Sequence, residues 1–208
     1  MTRSLTTRNF FEKRLQEPIV FENDVFRTAI GEKAVISGLW QIYGIDKNGK
    51  TTFALMMAKD FSFNYKVWFI SAEQGLKESF KLACERTGIN NATKILWDEY
   101  IELKDLVTEL KKPKSPQIIF IDNTTIYSDE IKGDLQVKYL AKMFPKKLLI
   151  MVSHEDRNEP SPACAKMIKK LSEVFFRVKG LKVFVTSRYT IADGSIVIND
   201  EMSEMYWG

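Results

Sequence analysis

The run Gly44-Ile45-Asp46-Lys47-Asn48-Gly49-Lys50-Thr51 fits the pattern Gly-x4-Gly-Lys-Thr, and the interpretation of the whole chain starts from it. A glycine-rich turn that opens a helix points several main-chain N–H groups inward, so the positive end of the helix faces an anion. In that arrangement Lys50 neutralises phosphate charge and the Thr51 hydroxyl holds Mg²⁺. The run therefore predicts an ATP-binding phosphate loop made of Gly44, Ile45, Asp46, Lys47, Asn48, Gly49, Lys50, Thr51 and Thr52.

The segments on either side of this run have the character that the motif requires. Residues 39–43 form a short apolar run of strand length, and residues 52–59 combine helix formers with apolar groups three and four positions apart. Strand-like and helix-like segments then alternate, which predicts an α/β fold with a mostly parallel sheet flanked by helices and a C-terminal antiparallel hairpin around Lys179-Gly180. The predicted strands are 39–43, 66–71, 94–97, 117–122, 147–153, 173–178, 181–187 and 195–198, and the predicted helices are 50–60, 76–87, 100–111, 133–143 and 162–172.

The composition bounds the kind of protein. At 208 residues and 45% hydrophobic content, the chain can bury the core of one domain. We expect residues 31–208 to form that domain, and residues 1–30 to be an extension that packs on its own core or on a neighbour. No apolar run approaches the roughly 20 residues of a membrane span, and the first residues lack a secretory core, which predicts a soluble cytoplasmic protein. The net charge of +4 favours nucleic-acid binding only weakly.

Asp122 is the candidate acid for the metal. It ends the apolar run 118–121, and Mg²⁺ takes hard oxygen ligands or carboxylates that orient its waters. An aspartate that caps the turn into Asn123 is the alternative interpretation. With the loop in mind, we predict a metal site made by Thr51 and Asp122.

Hydrolysis also needs a carboxylate that orients or deprotonates the attacking water. Asn123 directly follows Asp122, so this carboxylate has to come from another segment. Glu73 follows the predicted strand 66–71, at the edge where open α/β sheets place their ligands. The alternative is an acid in the first turn of a helix, which favours the helix dipole. We predict Glu73 and Lys50 as catalytic residues.

Together these segments resemble the RecA-like P-loop ATPases, a group that includes RecA and RadA recombinases, KaiC proteins and hexameric replicative helicases. The resembling segments are 44–51, 71–74, 118–122, 152–155 and 186–188. The resemblance implies that the strand ending at Ser153 lies between the phosphate-loop strand and the Asp122 strand, and that Ser153 or His154 contacts the nucleotide. It also implies a catalytic arginine that reaches a neighbouring subunit's ATP, for which Arg188 is the candidate. The lysine usually found two residues before that arginine is Thr186 here.

More narrowly, the chain is similar to small, stand-alone RecA-like ATPases of bacterial mobile elements and phages. That similarity is carried by Glu17-Pro18-Ile19-Val20-Phe21-Glu22 and by Tyr206-Trp207-Gly208. It implies no defined activity.

Two segments concern the partners that the resemblance implies, namely single-stranded DNA and further copies of the chain in a ring or filament. Residues 155–162 correspond to a DNA-contacting region of RecA-like proteins, but they are acidic and lack an aromatic residue for base stacking. The basic residues that follow are Lys166, Lys169 and Lys170. Phe26-Arg27-Thr28-Ala29 matches a Phe-x-x-Ala pattern by which some recombinases dock on adjacent subunits, or else supplies a core Phe beside an Ala.

Three hypotheses of function follow. The first is a Mg²⁺-dependent ATPase that couples ATP binding and hydrolysis to DNA recombination or replication-type work. The second is a P-loop small-molecule kinase, although such kinases grip the transferred phosphate with an arginine-rich lid, and Arg157 alone lies where a lid would be. The third is a nucleotide-binding interaction module with little turnover, for which Gln74, instead of a second acid beside Glu73, leaves room.

Overall fold

The computed structural model describes residues 4–13, 16–132, 137–191 and 194–208. The helices in these ranges are α1 (Thr7–Phe11), α2 (Asp24–Ile30), α3 (Lys50–Ser62), α4 (Glu78–Arg86), α5 (Leu103–Leu110), α6 (Ser128–Lys132), α7 (Val137–Met143), α8 (Ala163–Leu171) and α9 (Asp200–Trp207). The strands are β1 (Gly38–Gly44), β2 (Val67–Ser71), β3 (Ile95–Asp98), β4 (Ile118–Asp122), β5 (Leu148–Asp156), β6 (Glu159–Ser161), β7 (Val174–Lys179), β8 (Lys182–Ser187) and β9 (Gly194–Val197).

All strands of the described ranges belong to one sheet, in the order β3-β2-β4-β5-β1-β7-β8-β9, with β6 paired to β5. Strands β1, β2, β3, β4, β5 and β7 pair in parallel, whereas β6, β8 and β9 are added antiparallel. This confirms the predicted α/β fold with its C-terminal antiparallel hairpin. Strand β5 lies between β1 and β4, as the resemblance to RecA-like ATPases implied.

The central strands are buried on both faces, which is why they are almost continuously apolar in sequence. Because successive side chains of a strand point to opposite faces, β1 contributes to two separate clusters. Trp40 and Ile42 pack with the apolar side chains of α3, and Leu39 packs with those of α5, α7 and α8. The core therefore consists of two layers of side chains, one on each side of the sheet.

The segment before β1 is part of the first of these layers. Ile19, Phe21 and Phe26 are buried there, and the ring centroids of Phe26 and Phe53 are 6.0 Å apart. Phe26 thus serves the core of its own chain, as the second interpretation of the Phe-x-x-Ala pattern holds. Helix α1, in contrast, buries none of its side chains.

The differences from the predicted elements lie in short segments. Helices α1, α2, α6 and α9 and strand β6 were not expected, since runs of three to eight residues give too few positions for a hydrophobic period to be recognised. The first four residues of the predicted helix 133–143 lie outside the described ranges, and its remainder is α7. Among the described helices, none is both long and apolar enough to cross a membrane.

Candidate phosphate-binding site

The predicted phosphate loop connects the central strand β1 to the first turn of α3. Gly49 has a φ of 100°, a left-handed conformation that favours glycine, and it stands directly before the first helical residue, Lys50. Gly44 lies against the carbonyl of Val178, where an added Cβ would overlap it. The glycines of the motif thus allow the tight turn and the close packing on β7 that aim the start of α3 into a cavity.

This cavity has a volume of about 610 Å³, within the usual range of small-molecule sites. Loop residues form one wall, and Glu73, Gln74 and His154 reach it from the ends of neighbouring strands. The remaining lining comes from α4 and from the β7–β8 turn, namely Ser79, Leu82, Ala83, Arg86 and Leu181. The site therefore has a polar end at the loop and a more apolar end beside α4.

Lys50 extends back over the loop, with its side chain only 8% exposed. Its Nζ donates to the carbonyl oxygen of Ile45 at 3.0 Å and to Asp46 Oδ1 at 3.1 Å. The hydrogen bond from Lys50 lowers the pKa of the Asp46 carboxyl, and contact with His154 adds to the effect. Asp46 thus carries a negative charge at the position where Lys50 would meet a phosphate.

Thr51 and Asp122, the predicted metal residues, are in direct contact. Thr51 Oγ1 donates to Asp122 Oδ2 at 2.9 Å. Burial raises the pKa of Asp122 to about 6, against the opposing effect of the Thr51 hydrogen bond. A hydroxyl and one carboxylate at the start of α3 suit Mg²⁺, which takes few protein ligands and completes its shell with phosphate oxygens and waters. No described group of three or more His, Cys, Asp or Glu side chains could hold a metal by itself.

Glu73 lies beside this pair and does not belong to a helix. Its main-chain N–H donates to the carbonyl of Asp122 at 3.1 Å, which fixes the end of β2 to the end of β4. Helix α4 begins only at Glu78, so Glu78 is the acid of the first turn. The alternative interpretation of Glu73 as a residue that complements the helix dipole does not hold.

Asn123 connects Glu73 to His154. Its Nδ2 donates to Glu73 Oε2 at 2.9 Å and lies 2.6 Å from His154 Nε2. The amide is oriented by Thr125, whose main-chain N–H and hydroxyl both donate to Asn123 Oδ1. The sequence analysis treated Asn123 only as the residue that replaces a second acid after Asp122. Its position directly after a strand-end aspartate was the signal for a site residue.

The two candidates for nucleotide contact on β5 have different surroundings. The Ser153 hydroxyl is fully buried, accepts from Gln41 Nε2 at 3.0 Å and lies 2.7 Å from Thr124 Oγ1. His154 lines the cavity, with its Nδ1 2.5 Å from Asp46 Oδ1. Of the two, the structure places only His154 in the cavity, because consecutive strand residues point to opposite faces.

Arg188 is not brought to the phosphate loop of its own chain. It follows β8, where its Nε lies 3.7 Å from Glu173 Oε2. Glu173 precedes β7, and β7 runs parallel to β1, so this end of the sheet edge is opposite to the end at which the loop lies. Arg188 instead lines a groove of about 560 Å³ together with Lys166, Lys169, Lys170, Phe175, Glu159 and Glu173.

Solved structures with the same architecture exist, although no protein-family model and no curated protein matches the sequence. The ATPase domain of a replicative helicase superposes with a TM-score of 0.52 at 16% identity, covering 77% of this chain and 80% of that one. The flagellar accessory protein FlaH from Methanocaldococcus jannaschii superposes with a TM-score of 0.57 at 16% identity, covering 83% of this chain and 87% of that one. The chain has the fold of the RecA-like P-loop ATPases.

Proposed function

We propose that this protein binds Mg²⁺-ATP in the cavity at the phosphate loop and hydrolyses it. The observation that carries the proposal is the convergence of Lys50, the Thr51–Asp122 pair and Glu73 on one cavity, from the ends of three different strands. Structural residues have no reason to place a lysine, a buried carboxylate and a second carboxylate at the same edge of a sheet. Perturbed acids in a cleft are typical of functional sites.

The chemistry follows from the roles of these groups. The main-chain N–H groups at the start of α3 and the Lys50 ammonium bind the β- and γ-phosphates. Mg²⁺ held at Thr51 and Asp122 neutralises charge on the phosphate oxygens. Glu73 orients a water whose oxygen bonds to the γ-phosphorus while the bond to the β–γ bridging oxygen breaks. ADP leaves with that oxygen, and the proton of the water passes through Glu73 to the phosphate product.

We further propose that ATP turnover is coupled to single-stranded DNA, as in recombination or replication-type work. The support is the groove at Arg188. Lys166 and Lys170 are exposed on one face of α8, and half-buried Phe175 supplies the aromatic ring that residues 155–162 lack. Lys169 is held between this ring and that of Tyr43, at 5.1 and 5.0 Å from the ring centroids. Cations beside an aromatic face fit a nucleic-acid strand.

The test is steady-state phosphate release from Mg²⁺-ATP, with and without oligothymidylate. The proposal expects release by the wild type, none above background by Lys50→Ala, and an increase with DNA that the double variant Lys166→Gln, Lys170→Gln loses. Retained nucleotide binding by calorimetry is the folding control for the double variant. Binding without release would favour the nucleotide-binding module, and transfer of the phosphate to a nucleoside would favour the kinase. No heat of binding for any purine nucleotide would refute ATP binding altogether.

A further inference from the structure

Asp46 is an unusual residue for the position that it holds, because a carboxylate inside a phosphate loop repels the ligand of that loop. Its Oδ1 is in contact with two partners at once, Lys50 Nζ at 3.1 Å and His154 Nδ1 at 2.5 Å. Its side chain is 70% exposed, whereas that of Lys50 is 8% exposed. One exposed carboxylate oxygen therefore joins the phosphate-binding lysine to the histidine of β5.

The contact with Lys50 has the character of an internal substitute for phosphate. An ammonium group has three donors, and the Ile45 carbonyl and Asp46 engage two of those of Lys50. An incoming phosphate oxygen needs the donor that Asp46 holds, and its charge repels the carboxylate. Because Asp46 is largely exposed, its side chain can leave Lys50 for water at little cost.

The contact with His154 has a defined direction. Thr125 orients the Asn123 amide so that Nδ2, a donor, faces both Glu73 Oε2 and His154 Nε2. His154 Nε2 is therefore the acceptor, and Nδ1 carries the hydrogen that is donated to Asp46. The carboxylate of Asp46 thus fixes the tautomer and the ring orientation of His154, with Nε2 directed at the Asn123–Glu73 pair.

We propose that Asp46 is a positioning residue with two successive roles. In the nucleotide-free loop it neutralises Lys50, and the β- and γ-phosphates displace it from that lysine. It then retains His154 alone, and holds Nε2 of that ring beside Glu73, where the attacking water is activated. The inference rests on the proposed ATPase function and adds to it a link between phosphate binding at Lys50 and the hydrolytic side of the cavity.

The test variant is Asp46→Asn, which keeps the shape of the side chain and removes its charge. We expect Mg²⁺-ADP and a non-hydrolysable Mg²⁺-ATP analogue to bind about 3- to 10-fold more tightly by calorimetry, because the competing anion is gone. We expect kcat to fall at least about 10-fold, because His154 loses its oriented partner. A merely structural role would not produce tighter binding together with slower turnover.

Two further variants separate the roles. His154→Gln should lower kcat without tightening binding, and adding it to Asp46→Asn should lower kcat little further, since the two residues act together. Asp24→Asn is the matched control, because Asp24 is also an exposed carboxylate paired with a cation, Arg27 at 2.7 Å. It should change neither quantity.

The outcomes that overturn the inference are distinct from a failure of the proposed function. Unchanged nucleotide affinity in Asp46→Asn would remove the first role, and unchanged kcat would remove the second. A wild-type protein that binds no Mg²⁺-ATP would instead refute the proposed function, and this is measured before any variant is compared.

Discussion

The main-chain N–H of Gly180 donates a hydrogen bond of 2.8 Å to Asn48 Oδ1, which ties the β7–β8 turn to the phosphate loop. Helix α9 covers this turn from the other side. Trp207 Nε1 donates to the Gly180 carbonyl at 3.3 Å, and the Tyr206 ring lies where a Cβ on Gly180 would be. The shape of the loop therefore depends on contacts with the C-terminal part of the chain, as well as on its own glycines.

Removing the Asn48 side chain should weaken nucleotide binding without removing any main-chain phosphate donor. We expect Asn48→Ala to raise the Kd for Mg²⁺-ATP about 3- to 10-fold, since an average hydrogen bond contributes roughly 1 kcal/mol and orders the loop. Calorimetric titration measures this. Asn64→Ala is the control, because Asn64 makes a side-chain hydrogen bond of the same 2.8 Å to Glu22, beyond the other end of α3. An equal loss in both variants would show that the tether has no specific role.

The Glu73 carboxylate should be needed for turnover and dispensable for binding. Glu73→Gln keeps an acceptor for Asn123 Nδ2, so the local structure should persist. We expect kcat to fall about 100-fold or more, in the range typical of a lost general base, with the Kd for Mg²⁺-ATP within about 2-fold of wild type. Phosphate release and calorimetry measure the two quantities.

The matched control for this change is Glu78→Gln in the first turn of α4, an exposed glutamate that should leave both quantities unaltered. Normal turnover by Glu73→Gln would assign water activation to another group.

The sequence was informative where a residue's role follows from its own segment. The phosphate loop, the strand-end Asp122 and the position of Glu73 after a strand all follow from local pattern, because parallel strands bring their carboxyl ends to one edge. The strand order was implied only by resemblance. Local pattern could not separate Ser153 from His154 in the absence of the strand's facing, which the pairing of β5 with β1 and β4 sets.

Contacts between distant segments were beyond the sequence. Nothing local to Asp46 indicates His154, which lies on another strand, and nothing local to Asn48 indicates Gly180. The aromatic partner of the lysines on α8 was missed for the same reason, because Phe175 comes from β7. Such pairs depend on the packing of whole elements, whereas motifs depend on spacing within one element.

Asp60, on the last turns of α3, links the helix to the segment before it. Its Oδ1 accepts from the main-chain N–H of Asn23 at 2.7 Å, and its buried Oδ2 has no hydrogen-bond partner among the described residues. Burial raises the pKa of Asp60 to about 6, against opposing hydrogen bonds from Asn23 and Glu22. In the unfolded chain its pKa is near 3.9. Between these values the folded state binds more protons, so this residue lowers stability as pH rises from about 4 to about 6.

Asp60→Asn should therefore stabilise the protein at neutral pH. The amide keeps the acceptor for Asn23 and removes the buried charge. We expect the free energy of unfolding to rise by roughly 1 to 2 kcal/mol at pH 7.5, since one pKa unit is worth about 1.4 kcal/mol and solvent screens part of the effect. The gain should disappear near pH 4.

Urea unfolding at both pH values measures this effect, with exposed Asp156→Asn as the control. A gain of the same size at pH 4 and pH 7.5 would show that the buried charge of Asp60 is not its cause.

Arg188 should act on the nucleotide of a neighbouring copy, since it lies at the opposite end of the sheet edge from its own phosphate loop and its side chain is 64% exposed. An arginine supplied in trans is worth on the order of 10³-fold in turnover. We expect Arg188→Ala to lose most phosphate release while a single chain still binds Mg²⁺-ATP normally. Arg27→Ala, which removes another half-exposed arginine from an ion pair, is the control.

Mixing the Arg188→Ala and Lys50→Ala proteins separates action in trans from action in cis. The first has an intact phosphate loop and the second an intact arginine, so a mixed assembly contains some complete sites only if the arginine crosses between copies. Recovery of part of the wild-type phosphate release on mixing is the expected result, and it should follow the fraction of mixed neighbours as the ratio is varied. If each variant alone is inactive and every mixture stays inactive, Arg188 serves its own chain or its structure, and assembly has no part in the chemistry.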